Sequence, residues 1–565
     1  MSTITVNKQN KIKRVSNLKK LTFLSVIALL AFSLILSGCV PTKNKSSNNN
    51  SSGNEDGDGP IEVTIFTPKL GSDDDFSHNE FTKEMEEKLN IKIKWEYANQ
   101  DAAQEKRSLS LASGDYPDAF WLVTWIDPIT KVEAQKYGKE GVLLPLNDLI
   151  KEHAPNIQKA MEDVSYLEAG ITAPDGNIYG LPLLGECYHC AKYGKMWLNT
   201  DWLDKLGLEM PTTTEEFADV LRAFKNEDPN GNGKADEVPL SGESKSFEND
   251  VMTFLMNPFL PNNGKDFINV KDGKLTLAAM QPEWKDGLEY MHSLYEEGLL
   301  DQGAFTQNAE AYKQLGTPDG EQILGAGAAL HPAVFADLQS EYSRSYEVVP
   351  PLEGPDGEQF TPTNYGYVNN FAFAITDKAK GKKAEALIKL ADYFYTEEGA
   401  LTATYGKEGV NWKEGGSDDI DLTGEQAKYV PIRHDEDEDV EQYGWGERGP
   451  LLQTREFRDS IGTSTEELSP EGYERRLYNA TLKYDGFEPK ESFNAEAAWV
   501  SPEEAEELNL IQLNIINYVK ENSVQFITGS KDIEKEWDNY IKGFDPLQVD
   551  RYLEIYQKAY DIDKE

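Results

Sequence analysis

The chain has 565 residues, of which 99 are Asp or Glu and 56 are Lys or Arg, and its formal net charge is −43. This acidic excess argues against nucleic acid or an anionic lipid surface as the main partner, although a charge summed over the whole chain only weakly disfavours an anionic ligand. About 500 residues follow the leader and the polar segment behind it, too many for one hydrophobic core, so we expect at least two lobes.

The first 38 residues combine a lysine-rich start with an apolar run over residues 21–36. That run is shorter than the roughly 20 residues of a membrane-spanning helix, which favours a cleaved signal peptide over a permanent anchor. Ser37 and Gly38 then precede Cys39. This segment resembles the lipobox of bacterial lipoproteins. The resemblance implies that the chain is cut before Cys39 and that acyl chains on Cys39, such as diacylglycerol and palmitate, hold it to the extracellular face of the cell membrane.

A polar segment follows Cys39, and residues 41–60 are rich in Ser, Asn, Gly and Asp. Such a composition cannot bury enough apolar surface to fold, so residues 39–60 are predicted to be the lipidated cysteine and a disordered tether. A flexible tether suits a receptor that must reach a transporter and suits an anchored enzyme equally well.

The folded body is predicted to begin at Ile61 with a strand, a helix and a second strand. Apolar residues alternate at Ile61, Val63 and Ile65, recur at helical spacing at Phe81, Met85 and Leu89, and alternate again at Ile91, Ile93, Trp95 and Tyr97. Strands joined by a helix normally lie parallel with a right-handed crossover, so an open α/β sheet is expected. Such sheets bind ligands at the carboxyl ends of their strands, here after residues 67–69 and 120–121.

Three further helices are predicted from apolar spacing. Thr213 and Glu216 have the spacing of a capping box before Phe217, Val220, Leu221 and Phe224. A second helix contains Trp284, Leu288, Met291 and Tyr295 and ends at Gly298, and a third contains Trp537, Tyr540, Ile541 and Phe544.

Cys187 and Cys190 form the only CxxC motif, which reads Cys-Tyr-His-Cys. The low cysteine count excludes a disulfide scaffold, and the absence of a second CxxC makes a zinc site a weak interpretation. A short-loop disulfide, a redox motif and two free thiols remain open at this point.

Residues 228–237, with the sequence DPNGNGKADE, have the pattern of a calcium-binding loop. Oxygen-bearing side chains alternate, a glycine permits a sharp turn, and a backbone carbonyl is available after it. The predicted ligands are Asp228, Asn230, Asn232, Lys234 through its carbonyl, Asp236 and Glu237. The usual glutamate at position twelve is replaced by Pro239, so Glu237 at position ten is expected to take its place and the calcium to be structural. The alternative is an Asn-Gly turn without metal.

Several stretches along the mature chain resemble the large extracellular solute-binding lipoproteins of bacterial carbohydrate importers of the ATP-binding-cassette (ABC) type. They are SGDYPDAFW at 113–121, IYGLP at 178–182, WLNTDWLDKLG at 197–207, PTTTEEF at 211–217, EEGLLD at 296–301, PLEGPDG at 351–357 and YGKEGVNW at 405–412. The order and spacing of these stretches are more specific than any one of them. A structural calcium loop in some members of this family is similar to residues 228–237.

The resemblance implies a type II periplasmic-binding-protein-like fold, with two hinge-linked α/β lobes that each contain a mixed, mainly parallel sheet flanked by helices. The N-terminal lobe is expected to comprise residues 61–185 and 350–405, and the C-terminal lobe residues 186–349 and 406–565. The chain is expected to cross between lobes near residues 183–193, 349–363 and 405–411.

The ligand-binding residues are predicted from the chemistry of sugars, whose C–H faces stack on aromatic rings and whose hydroxyls need hydrogen-bond partners. The candidates are Trp121, Trp125, Glu186, Tyr188, His189, Asn364, Tyr365, Tyr367, Trp412 and Trp445. A packed core position is an equally common role for each of these tryptophans.

The predicted function is capture of an oligosaccharide by hinge closure and its delivery to the permease subunits of an ABC transporter, without catalysis, by a protein expected to be a monomer. Two alternatives remain. An anchored glycan-cleaving enzyme would need two carboxylates across a cleft, and so many acidic residues cannot exclude such a pair. A peptide-binding receptor of related architecture would share the fold.

Overall fold

The computed structural model of the protein describes residues 59–71, 75–318, 320–364, 366–432, 443–446 and 448–562. The predicted signal peptide, Cys39, the predicted tether up to residue 58, and Tyr365 lie outside these ranges. Residues from Gly59 onward form one compact unit. Within the described part of the chain, no helix has both the length and the hydrophobicity that a membrane crossing requires.

Helices and short strands alternate along most of the described chain. The strands are Ile61–Lys69, Ile91–Asn99, Ala119–Trp121, Ile129–Thr130, Leu183–Gly185, Met196–Asn199, Val238–Ser241, Ile268–Lys271, Lys274–Leu277, Leu324–Ala328, Tyr346–Val349, Asn370–Phe371, Phe373–Ile375, Trp412–Glu414, Tyr429–Pro431 and Leu451–Gln453. The α-helices are Glu80–Leu89, Ala103–Ser113, Lys131–Lys139, Asn147–His153, Pro155–Asp163, Leu167–Ile171, Tyr188–Ala191, Thr200–Leu206, Thr214–Asn226, Val251–Leu255, Pro282–Glu296, Ala309–Gly316, Lys382–Tyr393, Glu397–Thr404, Arg455–Asp459, Tyr473–Leu482, Pro502–Ile527, Ile533–Lys542 and Val549–Ile562. Short 3₁₀ turns are Gln100–Ala102, Ala278–Met280, Gln302–Phe305, Pro332–Val334, Glu341–Ser345, Pro470–Gly472, Ala495–Ala497 and Asp545–Leu547.

The first four-stranded sheet is built on the predicted strand, helix and strand at the start of the body. Its strand order is Phe373–Ile375, Ala119–Trp121, Ile61–Lys69 and Ile91–Asn99. Ile61–Lys69 pairs in parallel with both of its neighbours, whereas Phe373–Ile375 pairs antiparallel with Ala119–Trp121. The intervening helix, Glu80–Leu89, begins and ends within one residue of the predicted apolar pattern. The predicted α/β unit is therefore confirmed.

The second four-stranded sheet is mixed. Its strand order is Tyr346–Val349, Met196–Asn199, Leu324–Ala328 and Val238–Ser241. Leu324–Ala328 pairs in parallel with Val238–Ser241. Met196–Asn199 runs antiparallel to both of its neighbours, so antiparallel pairings are the more numerous in this sheet.

The buried apolar residues form two hydrophobic cores, one around each four-stranded sheet. The first core takes its members from residues 63–184 and 368–461, together with Trp499. The second core takes its members from residues 196–352 and 477–560. We call the two parts of the molecule built on these cores the first and second lobes. Two cores follow from the length of the body, which is too great for one.

The chain therefore passes between the lobes in three segments, which we call the first, second and third passages and which lie at residues 185–195, 353–367 and 462–476. The first two overlap the expected crossings. The third lies well after residues 405–411, because Trp412, Trp445 and Leu451 are all buried in the first core. The packing thus contradicts the expected start of the C-terminal lobe at residue 406.

Helix Thr214–Asn226 shows how the local sequence positions the calcium-loop segment that follows it. The Thr213 hydroxyl accepts a hydrogen bond from the Glu216 backbone N–H at 3.2 Å, as the capping pattern predicts. The Glu216 carboxylate, however, accepts hydrogen bonds from the backbone N–H and the hydroxyl of Thr212 at 2.9 Å, so only half of the predicted box forms. The helix buries its predicted apolar face in the second core.

Candidate functional site: a cleft between the two lobes

A cleft of about 940 Å³ lies between the two lobes. The first passage contributes Tyr188 and His189 to its walls, the first lobe contributes residues around 418–431 and 453–459, and helix Tyr473–Leu482 closes it from the second lobe. Its volume is at the upper end of the roughly 300–1,000 Å³ that is usual for small-molecule sites. The cleft therefore has room for a ligand larger than one sugar ring.

Aromatic rings and carboxylates share the walls of this cleft. Beside Tyr188, the rings are Tyr405, Phe457, Tyr473 and Tyr478. The carboxylates are Asp418, Asp419, Asp459, Glu471 and Glu474. Of these residues the sequence predicted only Tyr188. Tyr405 begins the YGKEGVNW stretch and could have been found there, whereas no local pattern marks the others.

Tyr188 is held rigidly at the first passage. Its hydroxyl donates a hydrogen bond to Asp485 Oδ2 at 2.6 Å, and its ring is only 7% exposed. The Arg455 guanidinium lies 4.0 Å from the centre of that ring, and the Tyr478 ring lies at 5.1 Å. A ring fixed on several sides offers its remaining edge to a ligand at little cost in conformational entropy.

His189 follows Tyr188 in the cleft wall and is a neutral side chain. Its Nδ1 lies 3.5 Å from the Glu474 carboxylate. Burial lowers the pKa of His189 to about 3, and the positive charges of Lys195 and Arg458 act in the same direction. Neutral imidazole can donate one hydrogen bond and accept another, so His189 adds a polar group to the cleft without adding charge.

A second, smaller cavity of about 220 Å³ adjoins the same passage and contains the predicted residues Glu186, Asn364 and Tyr367. The Glu186 carboxylate accepts hydrogen bonds from the Tyr166 hydroxyl at 2.6 Å and from the Arg455 backbone N–H at 2.7 Å. Both oxygens of Glu186 are thus engaged within the protein, and one of them fixes the start of helix Arg455–Asp459.

The second passage supplies the other polar groups of the small cavity. Asn364 Oδ1 accepts a hydrogen bond from Asn494 Nδ2 at 2.6 Å, and its backbone N–H donates to the Ala191 carbonyl at 2.8 Å. The Tyr367 hydroxyl lies 3.0 Å from Ser492 Oγ and remains partly exposed. The structure therefore brings Glu186, Asn364 and Tyr367 together, as predicted.

Three predicted tryptophans line neither cavity, and their burial contradicts the predicted ligand-stacking role. Trp121 and Trp445 are completely buried, and Trp412 is 7% exposed. Their indole N–H groups donate to Arg448 O at 3.0 Å, to Thr82 Oγ1 at 2.8 Å and to Gly406 O at 3.0 Å, respectively. A large ring with its one donor satisfied inside the protein is a core residue.

Trp125 differs from these three tryptophans because it is 58% exposed. It lies in the loop after strand Ala119–Trp121, next to Thr124, which lines the small cavity. Its loop is anchored from behind, where buried Arg107 donates to buried Asp127 at 2.9 Å. Trp125 is therefore an exposed aromatic ring on a fixed loop, one residue along the chain from Thr124 of the small cavity.

Arg475 joins the walls of the large cleft across the lobes. It lies on helix Tyr473–Leu482, and its guanidinium donates to the carbonyls of Ile420 and Asp421 in the first lobe at 3.1 and 2.7 Å. It also donates to two carbonyls of the third passage, those of residues 463 and 464, at 3.3 and 3.0 Å. One buried side chain thus ties helix Tyr473–Leu482, which packs on the second core, to the first lobe and the third passage beside the cleft.

Cys187 and Cys190 are joined by a disulfide. Of the interpretations that the sequence left open, the structure shows the short-loop disulfide. The two sulfurs and a His189 nitrogen lie within 4.8 Å of one another, but sulfurs that are bonded to each other are not thiolate ligands. The disulfide closes the turn that carries Tyr188 and His189 into the cleft.

The calcium-loop segment is a network of turns around Asp228. The Asp228 carboxylate accepts hydrogen bonds from the backbone N–H groups of Asn232 at 3.1 Å and Gly233 at 3.0 Å. The Asp236 carboxylate accepts from the side-chain amides of Asn230 at 3.2 Å and Asn232 at 3.0 Å, and these bonds lower its pKa. The predicted oxygen ligands are thus gathered in one short loop.

Glu237 is a carboxylate of this loop with one oxygen that accepts no hydrogen bond from the described residues. Its Oε1 is buried and has no hydrogen-bond partner among the described residues. Burial and the nearby charges of Asp228 and Asp236 raise the pKa of Glu237. A buried oxygen in a field of other carboxylates suits a hard cation, and oxygen ligands of this kind fit calcium.

Comparisons with known proteins place this fold among binding proteins. A family model described as bacterial extracellular solute-binding protein matches residues 72–401. The fructooligosaccharide ABC transporter substrate-binding protein FusA of Streptococcus pneumoniae is 29% identical over 496 residues, which cover 84% of this chain and 86% of FusA. The polygalacturonan/rhamnogalacturonan-binding protein YtcQ of Bacillus subtilis is 25% identical and covers 59% of this chain and 63% of YtcQ.

Solved structures agree with this placement. FusA in complex with kestose superimposes with a TM-score of 0.67 at 26% identity, and the match covers 88% of this chain and 99% of FusA. Another structure of FusA is described as an EF-hand mutant in complex with fructo-nystose. A solute-binding protein of Bifidobacterium longum infantis matches with a TM-score of 0.72 at 23% identity over 89% of this chain and 99% of its own, which supports the fold alone. The predicted two-lobed α/β fold is confirmed.

Proposed function

We propose, since the chain belongs to the bacterial extracellular solute-binding protein family, that it captures an oligosaccharide in the 940 Å³ cleft and delivers it to the permease subunits of an ABC transporter. The observation that carries the proposal is the cleft itself, which lies between two lobes and is walled by tyrosines and carboxylates. Its relatives are binding proteins, so the glycan-cleaving alternative is set aside.

The chemistry of the cleft suits carbohydrate. Tyrosine rings pack against the C–H face of a sugar ring, and carboxylates accept strong hydrogen bonds from its hydroxyls. His189, which is neutral, can pair with a hydroxyl in either role. A sugar that touches Asp418 in the first lobe and Glu474 on helix Tyr473–Leu482, which packs on the second core, gains its full set of contacts only when both walls are close.

Closure follows from the three passages. If open and closed forms exchange by rotation about these segments, a ligand that bridges the walls stabilises the closed form by its differential affinity. The permeases then recognise the closed form. In this mechanism, Tyr188 and His189 stay at the first passage while the walls formed by the two lobes approach each other.

A binding screen tests this proposal. Purified residues 59–565 are titrated calorimetrically with oligosaccharides and with peptides, and the reaction mixtures are analysed for cleavage products. We expect binding of at least one oligosaccharide, no cleavage, and a smaller radius of gyration by solution scattering when it binds. Binding only by peptides, or release of sugar products, would contradict the proposal.

We further propose that residues 228–237 hold one structural calcium ion. The support is the oxygen-rich loop, the unpartnered buried Oε1 of Glu237, and the EF-hand named in the FusA structure. Asp228, Asn230, Asn232, Asp236, Glu237 and the Lys234 carbonyl would supply the ligands. Bound calcium would neutralise the carboxylate cluster and stabilise the loop after helix Thr214–Asn226.

Calcium titration of matched variants tests this site. Asp228→Ala is expected to lose one calcium site and the calcium-dependent rise in melting temperature. Glu227→Gln removes the same charge from the adjacent exposed residue, outside the ligand set, and is expected to bind calcium like the wild type. Equal titrations for Asp228→Ala and the wild type would exclude the site.

The proposed location is the extracellular face of the cell membrane, with the chain anchored through lipid on Cys39 and acting as a monomer. The support is the leader sequence and the extracellular family. In a bacterial host, the wild type is expected in the membrane fraction and Cys39→Ala in the medium or unprocessed. Mass spectrometry of the N-terminal peptide identifies the acyl chains, and an unmodified mature Cys39 would refute the anchor.

A further inference from the structure

The ionisable side chains that line the cleft between the lobes are mostly negative. Among the described residues, the walls include five carboxylates, and Arg458 is the one Lys or Arg side chain that lines the cleft. Asp418, Asp419 and Asp459 come from the first lobe, and Glu471 and Glu474 come from the third passage, so the charge is contributed by separate segments of the chain. Family membership leaves the charge of the ligand open, whereas this lining does not.

Cations within the protein compensate only part of this charge. Asp459 pairs with Arg455 at 3.1 Å, and Asp419 lies 3.6 Å from the exposed Lys413. Among the described residues, Asp418 has no ion pair, and the basic side chain in contact with Glu474 is His189, which is neutral. Several negative charges therefore face the space that a ligand would fill.

Arg458 does not reverse this balance. Its Nη1 donates a hydrogen bond to Gln453 Oε1 at 3.1 Å, so part of the guanidinium is already committed to the wall. This bond uses one of the five guanidinium N–H groups, so the balance depends on one arginine facing five carboxylates and not on Arg458 being fully engaged. The smaller cavity does not add positive charge either, because its described lining residues include Glu186 and no Lys, Arg or His.

We infer that the cleft selects uncharged or amine-bearing oligosaccharides and rejects those that carry uronate groups, an inference that rests on the proposed capture of an oligosaccharide. Hydroxyls donate to carboxylates and gain charge-assisted hydrogen bonds. A uronate would lose its hydration and meet like charges across a partly desolvated space, which disfavours it strongly.

Matched saccharides that differ in charge test the inference. The probes are neutral fructo-, malto- and xylo-oligosaccharides, a xylo-oligosaccharide with and without a glucuronic acid branch, and an oligogalacturonide beside its methyl ester. Calorimetry is expected to show binding of a neutral member, and at least about tenfold weaker binding of each acid than of its neutral counterpart. This difference should narrow at high salt, because screening is strongest there.

A charge-removing variant adds a second measurement. Asp418→Asn combined with Glu474→Gln removes two charges from different walls of the cleft. This double variant is expected to reduce the difference in affinity between the acidic and the neutral probes. The control, Glu506→Gln combined with Asp538→Asn, removes two exposed charges from the second lobe and should leave that difference unchanged. An equal reduction in the control would mean that the net charge of the protein, and not the cleft, produces the selection.

The outcomes separate the two proposals. Binding of a uronate as tightly as its neutral counterpart, or more tightly, would overturn the charge selection and leave the capture of an oligosaccharide intact. No binding by any saccharide of either charge would overturn the proposed function and the selection with it. Binding of a neutral or amine-bearing probe with rejection of its uronate partner would support both.

Discussion

The exposed indole of Trp125 provides a direct test of where the ligand binds. Trp125 and Trp121 are four positions apart, yet one is 58% exposed beside the small cavity and the other is fully buried. Replacing each by alanine should therefore have opposite consequences. Trp125→Ala should weaken binding of an oligosaccharide that extends from the cleft to the small cavity and should leave stability unchanged. Trp121→Ala should lower stability without a specific effect on binding.

The expected loss of binding free energy in Trp125→Ala follows from the exposed area of the indole. An indole offers roughly 250 Å² of surface, so 58% exposure leaves about 145 Å², and a sugar that covers one face would bury about 70 Å² of it. At about 25 cal/mol per Å², this burial contributes about 1.8 kcal/mol, which corresponds to a dissociation constant about 20-fold higher in the alanine variant.

The expected loss of stability in Trp121→Ala follows from the packing of its ring. Its ring contacts Phe373, Phe394 and Trp445 with centroid distances of 5.4, 5.1 and 5.5 Å. Removing a buried tryptophan of this kind costs about 3–5 kcal/mol. Calorimetric titration with the oligosaccharide found in the binding screen measures affinity, and differential scanning calorimetry without ligand measures stability.

Two results would refute this reasoning. If Trp125→Ala binds the oligosaccharide as tightly as the wild type, the edge of the small cavity is not part of the binding site. If Trp125→Ala loses as much stability as Trp121→Ala, the Trp125 side chain packs against the rest of the protein and is not an exposed ring.

Three further predictions concern the scaffold of the site. Arg107→Met should destabilise the protein by about 3–5 kcal/mol, because it leaves the carboxylate of Asp127 buried and unpaired, and adding Asp127→Asn should recover part of that loss. Chemical denaturation measures both, and no recovery in the double variant would argue against an ion-pair effect. Arg475→Ala should increase hydrogen exchange in the segments around residues 420–421 and 463–464, since it removes donors to four carbonyls, and unchanged exchange there would exclude a link between the lobes. Alkylation followed by mass spectrometry should modify Cys187 and Cys190 only after reduction, whereas modification without reductant would show free thiols.

The sequence by itself determined the local features of the protein. Alternating and helical apolar spacing predicted the first strands and helices, because burial of one face imposes those periods on any chain. The pattern of residues 228–237 predicted a calcium-binding loop; the structure contains a tight turn around Asp228, and bound calcium remains a prediction. The family resemblance extended these local patterns to a two-lobed fold.

Only the tertiary structure decided which aromatic rings are exposed and which distant segments share the cleft. Trp121 and Trp125 are the same type of residue, four positions apart. Only Trp121 lies on a strand and is completely buried. The cleft joins the first passage near Tyr188 to walls more than two hundred residues later, and the third passage lies well beyond the predicted boundary. Such contacts depend on how the two cores pack and on where the chain passes between them. That packing depends on the whole chain, and no short segment of the sequence determines it.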